Sequence, residues 1–196
     1  MARSAAEPLR RAEIVQATIQ EIGRTGTLEV TVAQIARRAG VSSALAHHYF
    51  GSKEAIFVAA MRHVLALYGA EVRGALAAAE GPRARAEALI RVSFSQSNFR
   101  REVIAAWLNF YVLAQTMPEA WRLLDIYRRR LDSNLRHALR PILGDRAAAV
   151  AASLGALIDG VYLREALKRT APDRRGAAAL VLGHFEAELA RGDGGR

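Results

Sequence analysis

Residues 31–53 read TVAQIARRAGVSSALAHHYFGSK, and Gly40 divides this stretch into two short helices. Val32, Ile35, Ala36 and Ala39 recur at the helical spacing and give Thr31–Ala39 one apolar face. Gly40 supplies the positive φ of a tight turn with no Cβ to clash. A second helix is predicted from Ser42 to about Tyr49. Thr31 and Ser42 are good N-caps, since each side-chain oxygen can accept a hydrogen bond from a backbone N–H in the first turn of its own helix. Ala36 is small enough for the two helices to cross closely. A helix, a tight turn and a second helix make a helix-turn-helix, whose second helix is shaped for the major groove of DNA. The same residues also suit two surface helices around a turn in an ordinary helical domain.

The rest of the chain reads as helix as well. Ile14, Ala17, Thr18, Glu21 and Ile22 share one face of a first helix from about Pro8 to Gly23, which Gly23 and Gly26 end. A fourth helix starts near Ser52 and extends towards Glu80, with Ile56, Phe57, Ala60, Val64 and Leu67 on its apolar side. Gly69 and Gly74 are places where it could bend. Five more helices are predicted over about 82–97, 101–115, 118–139, 145–167 and 173–189. Pro8, Pro82, Pro118, Pro141 and Pro172 suit helix starts, where the missing N–H costs nothing. No segment alternates apolar and polar residues long enough to predict a strand. Arg191–Arg196 reads as a frayed tail.

Composition narrows the class. The 196 residues are 52% hydrophobic and 24% charged, which suits one compact unit or two small ones sharing a core. With no cysteine there is no disulfide framework and no thiolate zinc site. No apolar run precedes the first charges, so no signal peptide is predicted. The apolar run Ala147–Ile158 is too short to span a bilayer. A cytoplasmic protein with no membrane partner is expected. The net charge of +9 favours polyanionic partners, yet residues 1–54 hold six Arg and one Lys against five Glu, only +2. The other +7 lies in the C-terminal part, so the expectation of double-stranded DNA as a partner rests on the motif.

The aromatics concentrate in the middle of the chain. Trp107, Phe110 and Tyr111 crowd one helical face at i, i+3 and i+4. Trp121 and Tyr127 fall on the next helix, and Tyr162 follows Asp159 by three residues on the eighth. Aromatic faces attract cations, and cages of them take quaternary ammonium groups, to which Asp159 would add charge. Two readings stay open: a ligand cage, or aromatics that fill a bundle core while Asp159 caps a kink or meets an Arg. No histidine has Glu three residues before it, and adjacent His47 and His48 point in different directions on a helix. No Ser/His/Asp set or glycine-rich phosphate loop stands out. The chain is expected not to be an enzyme and to hold no metal or cofactor.

Tyr49-Phe50-Gly51-Ser52-Lys53-Glu54, directly after the second helix of the motif, resembles the TetR family of bacterial repressors. That resemblance implies an all-α fold of about nine helices. Its three-helix helix-turn-helix domain would span residues 1–52, and a ligand-binding and dimerisation domain 53–196. It implies that Ser43, Ala44 and Leu45 face base edges, that His47, His48 and Tyr49 meet phosphates or bases, that Lys53 meets phosphate, and that Thr31 presents its helix N-terminus to phosphate. Leu45 could instead be a core residue in place of Ala46. Ala44, Ala46 and His47 depart from the residues usual in the family, which leaves the operator sequence open.

A narrower resemblance lies in Ala106-Trp107-Leu108-Asn109-Phe110-Tyr111, in Arg129-Arg130-Leu131 with Ser133-Asn134-Leu135, and in Leu157 to Arg164. These look like the choline-responsive repressors of glycine betaine synthesis. They imply choline as inducer, held among Trp107, Phe110, Tyr111, Trp121, Tyr127, Asp159 and Tyr162. By the same resemblance the eighth and ninth helices form a homodimer interface, through Ala152, Ala156 and Gly160 and through Leu180, His184 and Phe185. Two recognition helices would then read a palindromic operator. The alternatives are a regulator of efflux genes that senses other cations, and helices that pack only within one chain.

Overall fold

The apolar spacings become helix faces in the computed structural model of the chain, which describes residues 2–193 and the side-chain surroundings of residues 7–191. Among the described residues there are nine α-helices and no strand. They are α1 (Ala2–Thr25), α2 (Val32–Arg38), α3 (Ser43–Phe50), α4 (Lys53–Ala78), α5 (Gly81–Ser93), α6 (Arg101–Leu113), α7 (Pro118–Leu143), α8 (Ala147–Ala166) and α9 (Arg174–Asp193), with a 3-10 turn over Gly144–Arg146. The tail expected to fray from Arg191 continues α9 to Asp193, and residues 194–196 lie outside the described residues.

α1, α2 and α3 form the N-terminal unit. The α1 face read from the sequence is buried throughout, polar members included. Thr18 donates its hydroxyl to the Ile14 carbonyl at 2.7 Å, which satisfies it without a partner outside the helix. Glu21 accepts hydrogen bonds from Arg24 on α1 and Arg38 on α2, so α2 is tied to α1 by charge as well as by Ile35 and Ala36. Gly40 has φ +67°, the left-handed turn expected of it, and Val41 N–H closes the turn on the Ala36 carbonyl at 3.0 Å. Ser42 caps α3 by accepting from Leu45 N–H at 3.1 Å, and Ser52 caps α4 in the same way through Ala55.

α4 continues from this unit into the larger C-terminal bundle. By length and composition it could cross a membrane, a possibility the apolar-run argument missed. Here Ile56, Phe57, Val58, Ala60, Met61, Val64 and Val72 are instead buried against neighbouring helices. Leu89, Ile90, Leu135, Leu139, Leu154, Ile158, Val181 and Phe185 fill the bundle core. Phe185 is therefore a core residue within the chain, whereas Leu180, 52% exposed, points outward.

Several boundaries differ from the sequence reading for identifiable reasons. Pro8 lies inside α1 and Pro141 inside the last turns of α7, rather than at helix starts. Pro141 forfeits only a bond near the helix end, where the next residues already approach Gly144 at φ +53°. α5 stops at Ser93, four residues early, because the serines and asparagine of 93–98 find other partners. Ser95 donates to Glu71 at 2.7 Å, and Asn98 donates to Glu71 at 3.0 Å and to the Val92 carbonyl at 3.1 Å. Such side chains compete with the helix for backbone and acceptor groups.

Gly23 does not end α1. It sits within the helix where α6 passes, and a Cβ built on it would lie 2.6 Å from the Glu102 Cα. Asn109 of α6 also donates its side-chain amide to the Gly26 carbonyl, at 3.2 Å, in the loop between α1 and α2. Gly23→Ala should force α1 and α6 apart and cost about 1–3 kcal/mol. A thermal unfolding midpoint equal to that of the wild type would contradict this close packing.

Candidate functional site

α3 presents an outer face. Ala44, His47 and His48 are exposed, Ser43 and Leu45 are half-buried, and Ala46 is completely buried. Because Ala46 fills the core position, Leu45 is left outside the core, which removes the alternative reading of it. Tyr49 is half-buried and packs on the core. The Arg11 guanidinium of α1 lies 5.3 Å from the Tyr49 ring centre and 5.2 Å from that of Phe50, pinning the end of α3. Lys53 folds its ammonium to 5.4 Å from the Phe57 ring centre. Thr31 forms a capping box: its hydroxyl accepts from Gln34 N–H at 3.2 Å, and its own N–H donates to the Gln34 side chain at 2.7 Å. The Thr31 hydroxyl and N–H are thus engaged at the start of α2. Arg11 was not singled out in the sequence, since only the fold brings it to α3.

The expected ligand residues divide into two groups. Trp107 is buried and lies at the centre of the aromatics, with ring-centre distances of 4.6 Å to Tyr127, 5.8 Å to Tyr111 and 6.3 Å to Tyr162. Phe110, 6.1 Å from Trp107, is 1% exposed and belongs to the core. Tyr162 donates its hydroxyl to the carbonyls of Ser93 at 2.5 Å and Asn98 at 3.1 Å, so it anchors the segment between α5 and α6. Trp121 does not enter the cluster; it is 55% exposed, at the rim of a cavity. Tyr68 of α4 joins from outside the expected set, 5.7 Å from Tyr127. Its place on an otherwise apolar helix stripe gave no sign of this.

The cavity lies between α6, α7 and α8. It has a volume of about 600 Å³, and its lining includes Tyr111, Trp121, Leu124, Arg128, Asp159 and Gly160. A Cβ on Gly160 would meet nothing within 4 Å, so this glycine keeps the space open rather than serving a close contact inside the chain. Asp159 and Arg128 are the two charged residues of the lining, and both also border a second cavity of about 320 Å³ whose lining includes Tyr127 and Asp132. Tyr111 donates its hydroxyl to Asp159 Oδ1 at 3.0 Å, and Arg128 Nε stands 3.9 Å from Oδ2.

Burial pushes the Asp159 carboxyl above the usual aspartate range, although the Tyr111 hydrogen bond and the Arg128 charge both pull it down. The Tyr68 hydroxyl is pushed up to about 12 by burial. Tyr111, Tyr127 and Tyr162 are raised further, first by burial and then by neighbouring charges and phenols. The phenols therefore stay neutral, and Asp159 supplies the negative field among π faces. Such a site favours a cation that needs no hydrogen-bond acceptor.

Comparison with known proteins places both halves of the chain. Residues 14–60 match the family described as bacterial regulatory proteins, tetR family, and residues 82–190 match the BetI-type transcriptional repressor C-terminal family. The chain belongs to the TetR family, with a BetI-type C-terminal domain. It is 50% identical over 184 residues to the HTH-type transcriptional regulator BetI of Brucella anthropi, covering 93% of this chain and 95% of that one. It is 47% identical over 190 residues to BetI of Rhizobium meliloti, with 96% and 94% covered. A transcriptional regulator from Pseudomonas aeruginosa PAO1 shares the fold with a TM-score of 0.76 at 27% identity, over 93% of this chain and 91% of that one. A regulator from Saccharomonospora viridis, solved in complex with choline, gives 0.76 at 21% identity over 90% and 95%. A TetR-family repressor binds DNA and is not an enzyme, which fits the helix-turn-helix.

The raised Asp159 carboxyl has a consequence for stability. The native TetR-family fold holds this proton more tightly than the unfolded chain does. Stability from the neutral carboxyl is therefore full at low pH and is lost as pH rises through the raised value. Asp159→Asn is neutral at every pH, and the half-exposed Arg128 loses little with its partner. The variant should unfold at a higher temperature than the wild type near pH 8, with the gap narrowing as pH falls through the raised value towards the ordinary aspartate range. Thermal scans across that range test it, and a constant gap would contradict the burial effect.

Proposed function

We propose that the chain is a homodimeric repressor of choline-to-glycine-betaine genes that leaves a palindromic operator when choline occupies the cavity beside Asp159. The observation that carries this reading is the Asp159 carboxylate, hydrogen-bonded by Tyr111, in the lining of a cavity between α6, α7 and α8 that also includes Trp121. A trimethylammonium group donates no strong hydrogen bond, so it relies on ring faces and a negative field. The names of the BetI relatives and the choline complex of the Saccharomonospora viridis regulator support the same ligand. Residues 1–52 would bind DNA, and 53–196 would bind ligand and dimerise.

Within the DNA-binding unit, Ser43, Ala44, Leu45 and His47 would meet bases, while His48, Tyr49 and Lys53 would meet the backbone, with Thr31 at the margin. The outward residues of α8 and α9, including Ala152, Ala156, Leu163 and Leu180, would pair with a second copy. A palindrome follows from that twofold symmetry. The efflux-regulator reading retains one supporting feature. The exposed apolar rim of Val112 and Trp121 also suits a larger lipophilic cation.

α6 would carry the signal. Its Tyr111 borders the cavity, and its Asn109 and Glu102 contact the α1 end of the DNA-binding unit. Choline shifts operator occupancy only if it binds better to the conformer whose recognition helices are wrongly spaced. Tyr111→Leu removes a ring and the Asp159 hydrogen bond, so choline should bind more than tenfold more weakly, while Tyr111→Phe keeps the ring and loses less. Calorimetric titration with choline and with a panel of lipophilic cations checks this; tighter binding of the panel by the wild type would favour efflux control. Asn109→Ala should keep choline affinity but need more choline to release the operator. Release at the wild-type concentration in a mobility-shift titration would show that Asn109 does not couple the sites.

A further inference from the structure

We propose that Arg128 is a built-in competitor for the inducer, a tethered cation that holds the place beside Asp159 and over Tyr111 until a free cation displaces it. The inference rests on the cationic-ligand reading above. Arg128 makes the two contacts that such a ligand would need. Its guanidinium carbon lies 5.8 Å from the Tyr111 ring centre, and its Nε stands 3.9 Å from Asp159 Oδ2. The other carboxylate oxygen, Oδ1, is already taken by the Tyr111 hydroxyl. Negative charge and ring face are thus both occupied by the chain itself.

The arginine is held loosely. Neighbouring pairs on α7 are close: Arg129 reaches Asp125 at 3.0 Å, and Arg136 reaches Asp132 at 2.9 Å. Arg128 stands about an ångström farther from its partner than those two from theirs, and its side chain is 59% exposed. A long, solvated pair of this kind contributes little stability and can open by rotation of the side chain alone. A buried or bidentate arginine would instead lock the site shut.

Competition sets both threshold and selectivity. Two cations beside one carboxylate repel each other, so an entering ammonium must expel the guanidinium to water. A neutral amphiphile of similar size has no such claim on Asp159 and would face the arginine in place. The occupied site therefore costs affinity for the inducer while filtering out uncharged molecules.

Calorimetric titration of the full-length wild type, Arg128→Gln and Arg128→Lys with choline and with tetramethylammonium tests the role. Arg128→Gln should bind both cations about tenfold more tightly, and Arg128→Lys, which keeps the charge, should stay near the wild type. Unchanged or weaker binding by Arg128→Gln, with the wild type binding normally, overturns the competitor role and leaves the inducer reading intact. A lowered unfolding midpoint in Arg128→Gln without a gain in affinity also overturns it, since Arg128 would then be only a link between α7 and α8. Failure of all three proteins to bind either cation overturns the inducer reading and the competitor role with it. Binding by Arg128→Gln alone would support the competitor most strongly.

Discussion

A hydrogen is all that α1 can carry at Gly23, because a Cβ there would lie 2.6 Å from the backbone of Glu102. This approach binds α6 to the N-terminal unit more tightly than a side-chain layer would allow. α6 has 13 residues and so is about 20 Å long, rigid on the scale of the contacts at its two ends. One end touches α1. The other brings Trp107 and Tyr111 to the aromatic cluster. Asn109 adds a hydrogen bond to the Gly26 carbonyl, so α6 also holds the loop that leads into the helix-turn-helix. Close-packed interiors transmit strain, so these contacts suit the proposed role of α6 as the link between cavity and N-terminal unit.

The cavity is the other half of the arrangement. Burying a carboxylate costs free energy unless it is paired, and Asp159 is only partly compensated by one phenol and one distant guanidinium. That incomplete compensation leaves negative potential that a ligand could claim once Arg128 swings away. Fully satisfied by a close arginine, the same residue would be a structural ion pair with nothing left to offer. The tyrosines around it contribute faces rather than charge, because burial keeps their hydroxyls protonated.

How much of this was legible in the sequence depended on whether the cause was local. Thr31, Gly40 and Ser42 act within a few residues of themselves, so the two caps and the turn could be read from spacing. The buried face of α1 followed from periodicity, including Thr18, bonded to Ile14, and Glu21, whose one partner Arg24 lies in the next turn while the other, Arg38, comes only with the fold. Pro8 and Pro141 were misread because each lies exposed within two turns of a helix end, where a proline forfeits little. The early end of α5 was hidden because it depends on Glu71, more than twenty residues away. Tyr111 and Asp159, which line the cavity, were singled out by composition and period, and so was Trp107, which lies in the core beside them. Tyr68, Arg11 and Arg128 were not, since each reaches its partner only through the fold. Phe110 shares the right face yet lies in the core, which period alone cannot distinguish.

The DNA-binding unit explains why a small displacement would suffice. Its cations are few and mostly engaged among the described residues. Arg24 and Arg38 pair with Glu21, Arg10 with Glu13 and Arg11 with Glu7. Lys53 lies along Phe57. α3 has eight residues and an outer face of short side chains, Ser43 and Ala44, beside His47. A single unit of this kind has a modest electrostatic hold on phosphate and a short reading surface. Tight operator binding then depends on two units acting together, as the proposed dimer provides, because linkage makes the second contact effectively intramolecular. That gain exists only while the spacing of the two units matches the half-sites. Weak individual units therefore make affinity steeply dependent on geometry, which is the property that the proposed coupling through α6 would act on.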